Sequence, residues 1–123
     1  MRKSLTRRER LRGRFALGRV FKASRGMRCQ GARLLLCENG LDLSRVVVTP
    51  VRKFGGSVAR NRARRLGKEA YRSLKAQVKP GFDMAFILFP GDFSYGQRVS
   101  QFSSLLKRAG LLCGSGQPCG AAP

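Results

Sequence analysis

The sequence contains no histidine and no tryptophan, and it has only six acidic residues in 123. Without histidine, a mechanism carried out by the protein alone lacks the commonest general acid or base. The acids are scattered along the chain, with no two within three residues of each other: Glu9, Glu38, Asp42, Glu69, Asp83 and Asp92. A two-metal nuclease needs several carboxylates around ions about 4 Å apart. The composition therefore disfavours a protein-only nuclease, and we expect the chain to supply little chemistry itself.

The four cysteines do not form a recognisable metal-binding pattern. Their spacings include no C-x-x-C pair, and without histidine the usual zinc sites are missing. Cys37 lies in an apolar stretch and is expected in the core. Cys113 and Cys119 lie in a segment rich in Gly, Ser and Pro, where we expect free thiols. We predict that the protein alone binds no metal.

Long apolar segments are missing as well. No apolar run reaches 18 residues, so the sequence predicts no membrane-spanning helix. The arginine-rich residues 1–14 are not followed by the apolar stretch of a secretory signal. A mitochondrial transit peptide stays open on composition alone, and the cytoplasm is the expected location.

Positive charge is what the chain has in excess. It contains 26 Lys and Arg residues, which give a formal net charge of +20 at pH 7. Self-repulsion on this scale costs folding stability and is typical of proteins that bind a polyanion. Hydrophobic residues make up 42% of the sequence, enough for a folded core. Nucleic acid is therefore the expected partner, and an anionic membrane surface is the alternative.

The hydrophobic pattern predicts a single α+β domain over residues 1–110, followed by a disordered tail over 111–123. Its helices and strands should form a roughly four-stranded sheet with three helices. In chain order we predict a helix at Leu11–Phe21, a faint strand at Met27–Gln30, strands at Ala32–Glu38 and Arg45–Val51, a helix at Val58–Val78, a strand at Met84–Phe89 and a helix at Tyr95–Ala109.

Local signals refine this order. Asn39-Gly40 favours a tight turn, because both residue types tolerate positive φ. Pro50 cannot donate a ladder hydrogen bond, which predicts that its strand lies at an edge or ends there. Ser57 is the expected N-cap of the second helix. The continuously apolar segment Met84–Phe89 predicts a strand that is buried on both faces.

The segment Arg52–Arg72 is the most informative part of the sequence. It reads R-K-F-G-G-S-V-A-R-N-R-A-R-R-L-G-K-E-A-Y-R, and Glu69 is the only acid between Asp42 and Asp83. Solvated helix faces normally mix acids with bases, since like charges four residues apart destabilise a helix. The N-terminus of a helix also attracts phosphate, and Arg60 stands where a capping box would place an acid or amide. This segment therefore predicts a nucleic-acid-binding helix.

The same segment resembles the signature of the bacterial ribonuclease P protein family. An R-N-R triplet followed by a basic pair and an E-A pair at this spacing is a specific motif. The matching positions are Lys53, Gly55, Ala59 or its neighbour Val58, Arg60, Asn61, Arg62, Arg64, Arg65, Glu69 and Ala70. The resemblance extends upstream over Leu11–Phe21 and downstream over Pro80–Leu112.

The resemblance implies a fold and a function that composition alone does not give. It implies an α+β sandwich in which a left-handed crossover joins two parallel strands through the R-N-R helix. It also implies that the chain is the protein subunit of ribonuclease P, with ribonuclease P RNA and precursor tRNA as partners and no obligate protein partner. The RNA, with magnesium held mainly by itself, would hydrolyse the phosphodiester bond, so no catalytic residue is expected here.

Two sets of binding residues follow from the resemblance. The set implied to contact the RNA subunit is Arg52, Lys53, Arg60, Asn61, Arg62, Arg64, Arg65 and Lys68. The set implied to hold the single-stranded 5′ leader of precursor tRNA is Leu17, Phe21, Leu35 and Val48. The family usually has aromatic residues where this chain has Leu17 and Leu35, and it usually lacks a proline at position 50. Leu17 and Phe21 are equally consistent with plain core positions.

The strongest alternative function is that of a ribosomal or ribosome-assembly protein, which would also be small, basic and α+β. A generic ribosomal protein need not carry the R-N-R segment, and that segment is what separates the two interpretations.

Overall fold

The computed structural model describes residues 10–11, 13–22 and 25–112. The elements are α1 Arg14–Phe21, β1 Arg25–Cys29, β2 Ala32–Glu38, β3 Arg45–Pro50, α2 Ser57–Leu74 with a 3₁₀ turn at Lys75–Gln77, β4 Phe82–Leu88 and α3 Tyr95–Ala109. The predicted tail from residue 113 onward, with Cys113 and Cys119, lies outside the described residues. Leu111 is buried and Leu112 pairs with Val78, so these two residues belong to the folded domain and not to the predicted disordered tail.

The four strands form one sheet in the order β1-β2-β4-β3. β1 and β2 are antiparallel, as are β2 and β4, whereas β3 and β4 are parallel and are joined through α2. This is the βαβ connection that the resemblance implies, and the predicted α+β architecture is confirmed. The faint strand expected at Met27–Gln30 is present as β1, although it begins and ends earlier.

Burial in the sheet follows the expected pattern. β4 lies between β2 and β3, and four consecutive residues from Asp83 to Phe86 are buried, so this strand faces packed layers on both sides. β3 lies at the edge of the sheet and ends at Pro50, as the missing N–H of proline predicts.

Helices cover both faces of the sheet. The main core lies between one face and the helices α2 and α3, with Leu34, Val48, Phe86 and Phe102 among its buried residues. The Phe86 and Phe102 rings stack with their centroids 4.0 Å apart. α1 covers part of the opposite face, where a smaller cluster contains Leu11, Val20, Leu35 and Ala85. Alternate residues of each strand therefore face different layers.

Helix ends and turns differ in two places from the expectation. Ser57 is the first residue of α2 and not its N-cap; Gly56 occupies that position, and no side chain caps the helix. Asn39 and Gly40 do not close a hairpin, because β2 and β3 are not neighbours. Asn39 instead accepts a hydrogen bond from the backbone N–H of Leu41, and its amide donates to the Leu43 carbonyl. Its φ is not positive, and only Gly40 adopts positive φ here.

The described helices include none that is both long enough and apolar enough to span a bilayer.

Candidate RNA-binding surfaces

The charged side chains of α2 surround a narrow buried stripe. Ala63, Gly67, Ala70 and Tyr71 face the core, and they are mostly small. Small residues let the helix approach the sheet closely: a Cβ added at Gly67 would lie 2.6 Å from Cγ1 of Val48. The arginines and lysines of the helix are therefore left on the remaining surface, where Arg62, Arg65 and Lys68 are exposed. The two exceptions among the predicted RNA-subunit contacts, Arg60 and Arg64, are partly buried.

Arg60 connects α2 to the loop that precedes it. Its Nη1 atom donates to the carbonyl of Val51 at 2.7 Å and to that of Arg52 at 3.1 Å. The loop it holds carries the exposed side chains of Arg52 and Lys53. Arg60 thus has a structural role that the sequence did not reveal, and it fixes two other residues of the predicted RNA-binding set.

A groove of about 390 Å³ lies between α2 and the outer edge of β3. We name it the β3 groove. Arg64 and Lys68 form its helical side, and Arg10 and Leu11 form its other side, where the Leu11 N–H donates to the Val46 carbonyl at 2.9 Å. Arg64 also donates to Oδ1 of Asn61 at 3.2 Å, which orients the amide of Asn61. The structure therefore brings Asn61, Arg64 and Lys68 together along one side of the helix.

The positive charge of this surface is not neutralised within the described residues. No carboxylate in that part of the chain forms an ion pair with Arg62, Arg64, Arg65 or Lys68. The first turn of α2 contains no acid and no capping side chain. Its N–H groups and the positive end of its dipole are thus available to an anion, beside side chains suited to phosphate.

The four predicted leader-binding residues differ in their exposure and in the face of the sheet on which they lie. Phe21 is 47% exposed and Leu17 is half-buried, both on α1. Leu35 is only 5% exposed, because α1 covers it, so it cannot stack on a base. Val48 packs in the main core below α2, on the face of the sheet opposite to Leu17 and Leu35. The prediction that Val48 lies on the α1 side of the sheet is therefore wrong. Successive side chains of a strand point to opposite faces, and it is the neighbouring residue Val47 that faces α1.

The face of the sheet beside α1 has an uncovered part that the sequence did not predict. We name this uncovered part the open face. Strand pairing and the alternation of side chains place one residue of each strand on it: Thr49, Ile87, Arg33 and Arg28. The two arginines are exposed, whereas Thr49 and Ile87 are half-buried. Alternation around Leu35 could have assigned Arg33 to this face, but Arg28 required the pairing register of β1.

A buried carboxylate fixes α1 and the ends of three strands. Asp83 accepts hydrogen bonds from Nε of Arg45 at 2.8 Å, from Nη2 of Arg45 at 2.7 Å and from the amide of Asn39 at 2.9 Å. Arg19 of α1 adds a longer contact at 3.3 Å. Burial alone would raise the pKa of Asp83, but the hydrogen bonds and the positive charges of Arg45 and Arg19 outweigh it, so the pKa lies below its ordinary value.

The described residues of the two surfaces bring no acidic side chains together. The described residues contain no group of three or more His, Cys, Asp or Glu side chains that could hold a metal ion. The carboxylate of Asp83 is already occupied by two arginines and Asn39. These residues therefore do not suit magnesium, and no catalytic step is assigned to them.

Comparison with known proteins agrees with this architecture. The sequence model of the family Ribonuclease P matches residues 5–110. The chain belongs to the ribonuclease P protein family. It is thereby a protein subunit of the endoribonuclease ribonuclease P.

Individual relatives support the same assignment. The ribonuclease P protein component of Thermotoga petrophila is 38% identical over 87 residues, which cover 71% of this chain and 74% of the relative. That of Alkaliphilus oremlandii is 34% identical over 105 residues, covering 84% and 92%. The solved structure of the Thermotoga maritima ribonuclease P protein matches with a TM-score of 0.70 at 30% identity, covering 81% of this chain and 96% of that one.

A more distant structure shows the conservation of the fold alone. The ribonuclease P protein of Staphylococcus aureus matches with a TM-score of 0.75 at 20% identity, covering 85% of this chain and 97% of that chain.

Membership of the ribonuclease P protein family decides against the ribosomal alternative.

Proposed function

We propose that this ribonuclease P protein binds the RNA subunit of the enzyme through α2 and the loop before it. The observation that carries the proposal is the unneutralised basic surface of α2, whose first turn is open to anions. In it, Arg62, Arg65 and Lys68 are exposed and project from a rigid helix. Guanidinium groups bind phosphate oxygens in a fixed fork, so a helix that holds several of them can set the orientation of an RNA backbone.

The RNA subunit, with its magnesium ions, is proposed to carry the chemistry. The chain has no histidine, and its described residues offer no cluster of carboxylates for a metal. What the protein supplies is charge and position. Neutralising phosphates of two RNA molecules that must approach each other lowers their repulsion, and this effect is largest when magnesium is scarce.

The surface beside α1 is proposed to hold the single-stranded 5′ leader of precursor tRNA. α1 packs on the row of the sheet that includes Leu35 and Ala85, and the open face lies next to that row. Phe21 presents an exposed ring on the helix, and aromatic rings bind unpaired bases by stacking. Thr49 belongs to the open face and also lines the β3 groove, whose other side is formed by Arg64 and Lys68. The leader and RNA-subunit surfaces therefore adjoin.

Binding to ribonuclease P RNA over a range of salt concentrations tests the first part of the proposal. If about six to eight phosphates are neutralised, log affinity should fall against log salt with a slope of about −5 to −7. The double variant Arg62→Gln and Arg65→Gln should bind more weakly and with a shallower slope. Lys79→Gln with Lys107→Gln removes the same charge from exposed positions outside both surfaces and serves as the control.

Equal losses in the two double variants would contradict a defined RNA-binding site, because they would show that total charge alone sets the affinity. A slope near zero for the parent protein would contradict the electrostatic account as a whole.

A further inference from the structure

A groove of about 610 Å³ lies between the first half of α2 and the loop that leads from β4 to α3. We name it the α2–α3 groove; it shares no lining residue with the β3 groove. Most of its lining is apolar, with Phe54 before α2, Val58 and Leu66 on the helix, and Phe93 in the loop opposite. Val58 is 81% exposed, so the described chain leaves this apolar surface uncovered. The volume lies in the range of sites that bind small organic molecules.

The lining also contains a buried positive charge. The side chain of Arg98 is only 1% exposed. Its Nη1 atom donates to the carbonyl of Gly31 and to Oε1 of Gln101, both at 3.0 Å, and its guanidinium carbon lies 4.7 Å from the centre of the Phe93 ring. These partners are neutral. Among the described residues, Nε of Arg98 has no hydrogen-bond partner and no carboxylate forms an ion pair with this side chain.

Arg98 therefore lacks a counter-ion within the described part of the chain. A buried charge is normally paired, because burial removes the water that stabilises it. Burial lowers the pKa of the Arg98 guanidinium, which nevertheless stays protonated at neutral pH. An anion bound in the α2–α3 groove would compensate this charge where the surroundings are poor in water.

The same groove includes the start of α2. Gly56 is the N-cap, no side chain caps the helix, and the N–H of Arg60 bonds to the Gly56 carbonyl. The N–H groups of residues 57–59 thus have no partner within the helix, and together with the helix dipole they favour an anion. The exposed side chain of Arg62 adds a second positive charge to the lining.

Asp92 is the only acid among the lining residues. It is exposed, and it forms no ion pair with Arg62 or Arg98. Two arginines and an open helix terminus outweigh this one carboxylate, so the groove attracts anions and not cations.

We propose that the α2–α3 groove is a binding site for a small organic anion with a flat apolar body and one phosphate or carboxylate group. The flat body lies against Phe54, Val58 and Phe93, and the anionic group faces the first turn of α2 and the charge of Arg98. An inorganic anion would leave the apolar walls in contact with water, and an uncharged ring would leave Arg98 uncompensated. The ligand therefore needs both parts.

Occupation of the groove should oppose binding of the RNA subunit, a consequence that rests on the proposed function. Arg62 and the first turn of α2 line this groove, and they also belong to the surface proposed to bind RNA. An anionic group seated there uses the N–H groups and the charge that an RNA phosphate would otherwise use. A small molecule can thereby weaken assembly of the holoenzyme.

Binding of naphthyl phosphate to the full-length protein, followed by the fluorescence of the probe, tests the site. The probe has a flat double ring and a phosphate group, whereas inorganic phosphate lacks the ring and naphthol lacks the anion. We expect the probe to bind at least about tenfold more tightly than either of these two compounds. It should also raise the thermal midpoint of the protein, because it binds the folded state.

A matched pair of variants separates the site from total charge. Val58→Glu places a carboxylate in the first turn of α2, where it favours the helix but repels the anion. Probe affinity should fall at least about tenfold, whereas the thermal midpoint of the free protein should not fall. Ala76→Glu adds the same charge at an exposed residue of the 3₁₀ turn, outside the groove, and should keep probe affinity within about twofold.

Two further variants address the charged groups directly. Arg98→Met removes the buried charge, and the Gly31 carbonyl keeps the hydrogen bond from the Phe89 N–H, so the protein should fold and bind the probe at least about tenfold more weakly. Asp92→Asn removes the one acid of the lining and should tighten probe binding about twofold. An unfolded variant could not produce such a gain.

Titration of the parent protein with ribonuclease P RNA tests the effect on assembly. At a probe concentration ten times its dissociation constant, the affinity for the RNA should fall about tenfold, as expected for competition. Inorganic phosphate at the same ionic strength should not produce this loss.

The outcomes are distinct. Probe binding no tighter than that of inorganic phosphate overturns the site and identifies an adventitious ion only. Equal losses for Val58→Glu and Ala76→Glu also overturn it, because total charge would then explain the binding. Tight probe binding that leaves the RNA affinity unchanged overturns the effect on assembly. If the parent protein does not bind the RNA even without the probe, the proposed function fails, whereas the probe titration contains no RNA and still decides the site.

Discussion

Replacing Asp83 with asparagine should destabilise the protein. Asp83 is fully buried, and it accepts two hydrogen bonds from Arg45, whose side chain is 25% exposed. Removing one partner of a buried ion pair leaves an uncompensated charge, which typically costs about 3–5 kcal/mol. Arg19 is 54% exposed and its contact with Asp83 is longer, so solvent screens most of the contribution of Arg19 to the free energy of unfolding. Because Arg45 can still reach some water, we expect a loss of about 3 kcal/mol.

Chemical denaturation at neutral pH measures this loss, with Asp92→Asn as the control. Asp92 is exposed, so its substitution should change the free energy of unfolding by less than about 0.5 kcal/mol. A loss below about 1 kcal/mol for Asp83→Asn would refute the reasoning that this carboxylate anchors α1 and the strand ends.

The pH dependence of the same comparison follows from the lowered pKa of Asp83. A carboxyl group whose pKa is lower in the folded state contributes stability that is complete above its unfolded pKa, about 4, and is lost as pH falls through the folded pKa. The difference in unfolding free energy between the parent and Asp83→Asn should be constant above about pH 5 and should shrink below about pH 4. A difference that grows on acidification would contradict the assigned direction.

Three further predictions concern the helices. Arg60→Ala should lower the free energy of unfolding by about 1–2 kcal/mol in denaturation experiments, because two backbone carbonyls lose their donor, and it should also weaken binding of ribonuclease P RNA. Gly67→Ala should lower the free energy of unfolding by about 1–3 kcal/mol, because its Cβ would collide with Val48. Gly18→Ala should instead raise the free energy of unfolding by up to about 1 kcal/mol, because no atom lies within 4 Å of the added Cβ and alanine favours the helix. Phe21→Ala should weaken leader binding in a precursor tRNA titration but not binding of the RNA subunit, since its half-exposed ring contributes little to the core.

Periodicity predicted most of the fold because the elements have strong local signals. α3 occupies the predicted Tyr95–Ala109, and its capping box between Ser94 and Gln97 and the left-handed Gly110 explain the sharp ends. The continuously apolar β4 and the edge position of β3 followed equally from residue type. The order of the strands did not follow, because pairing of distant segments is not encoded in local periodicity.

The buried charges were the main feature that the sequence concealed. Arg98 of α3 is only 1% exposed, whereas the aromatic residue Tyr95 of the same helix is 43% exposed. Arg98 donates to the Gly31 carbonyl at 3.0 Å and lies 4.7 Å from the centre of the Phe93 ring. Gly31 becomes a neighbour of Arg98 only in the folded chain, so the local helical pattern could not predict this burial.

The candidate surfaces were predictable to different degrees. The basic side of α2 follows from a local helical pattern, so Arg62, Arg65 and Lys68 lie on the surface as expected. The leader surface depends on which strand residues share a face, and an error of one residue moved Val48 into the core. The pair formed by Arg28 and Arg33 depends on strand register, which the sequence did not specify.

The most direct test of the central claim is cleavage of a precursor tRNA by bacterial ribonuclease P RNA at limiting magnesium, with and without this protein. We expect a clear increase in rate, correct mature 5′ ends and no cleavage by the protein alone, because the chain supplies charge and position while the RNA supplies the chemistry. No increase in rate despite tight RNA binding would contradict the proposed role. Cleavage by the purified protein free of RNA would contradict the assignment of the chemistry to the RNA subunit.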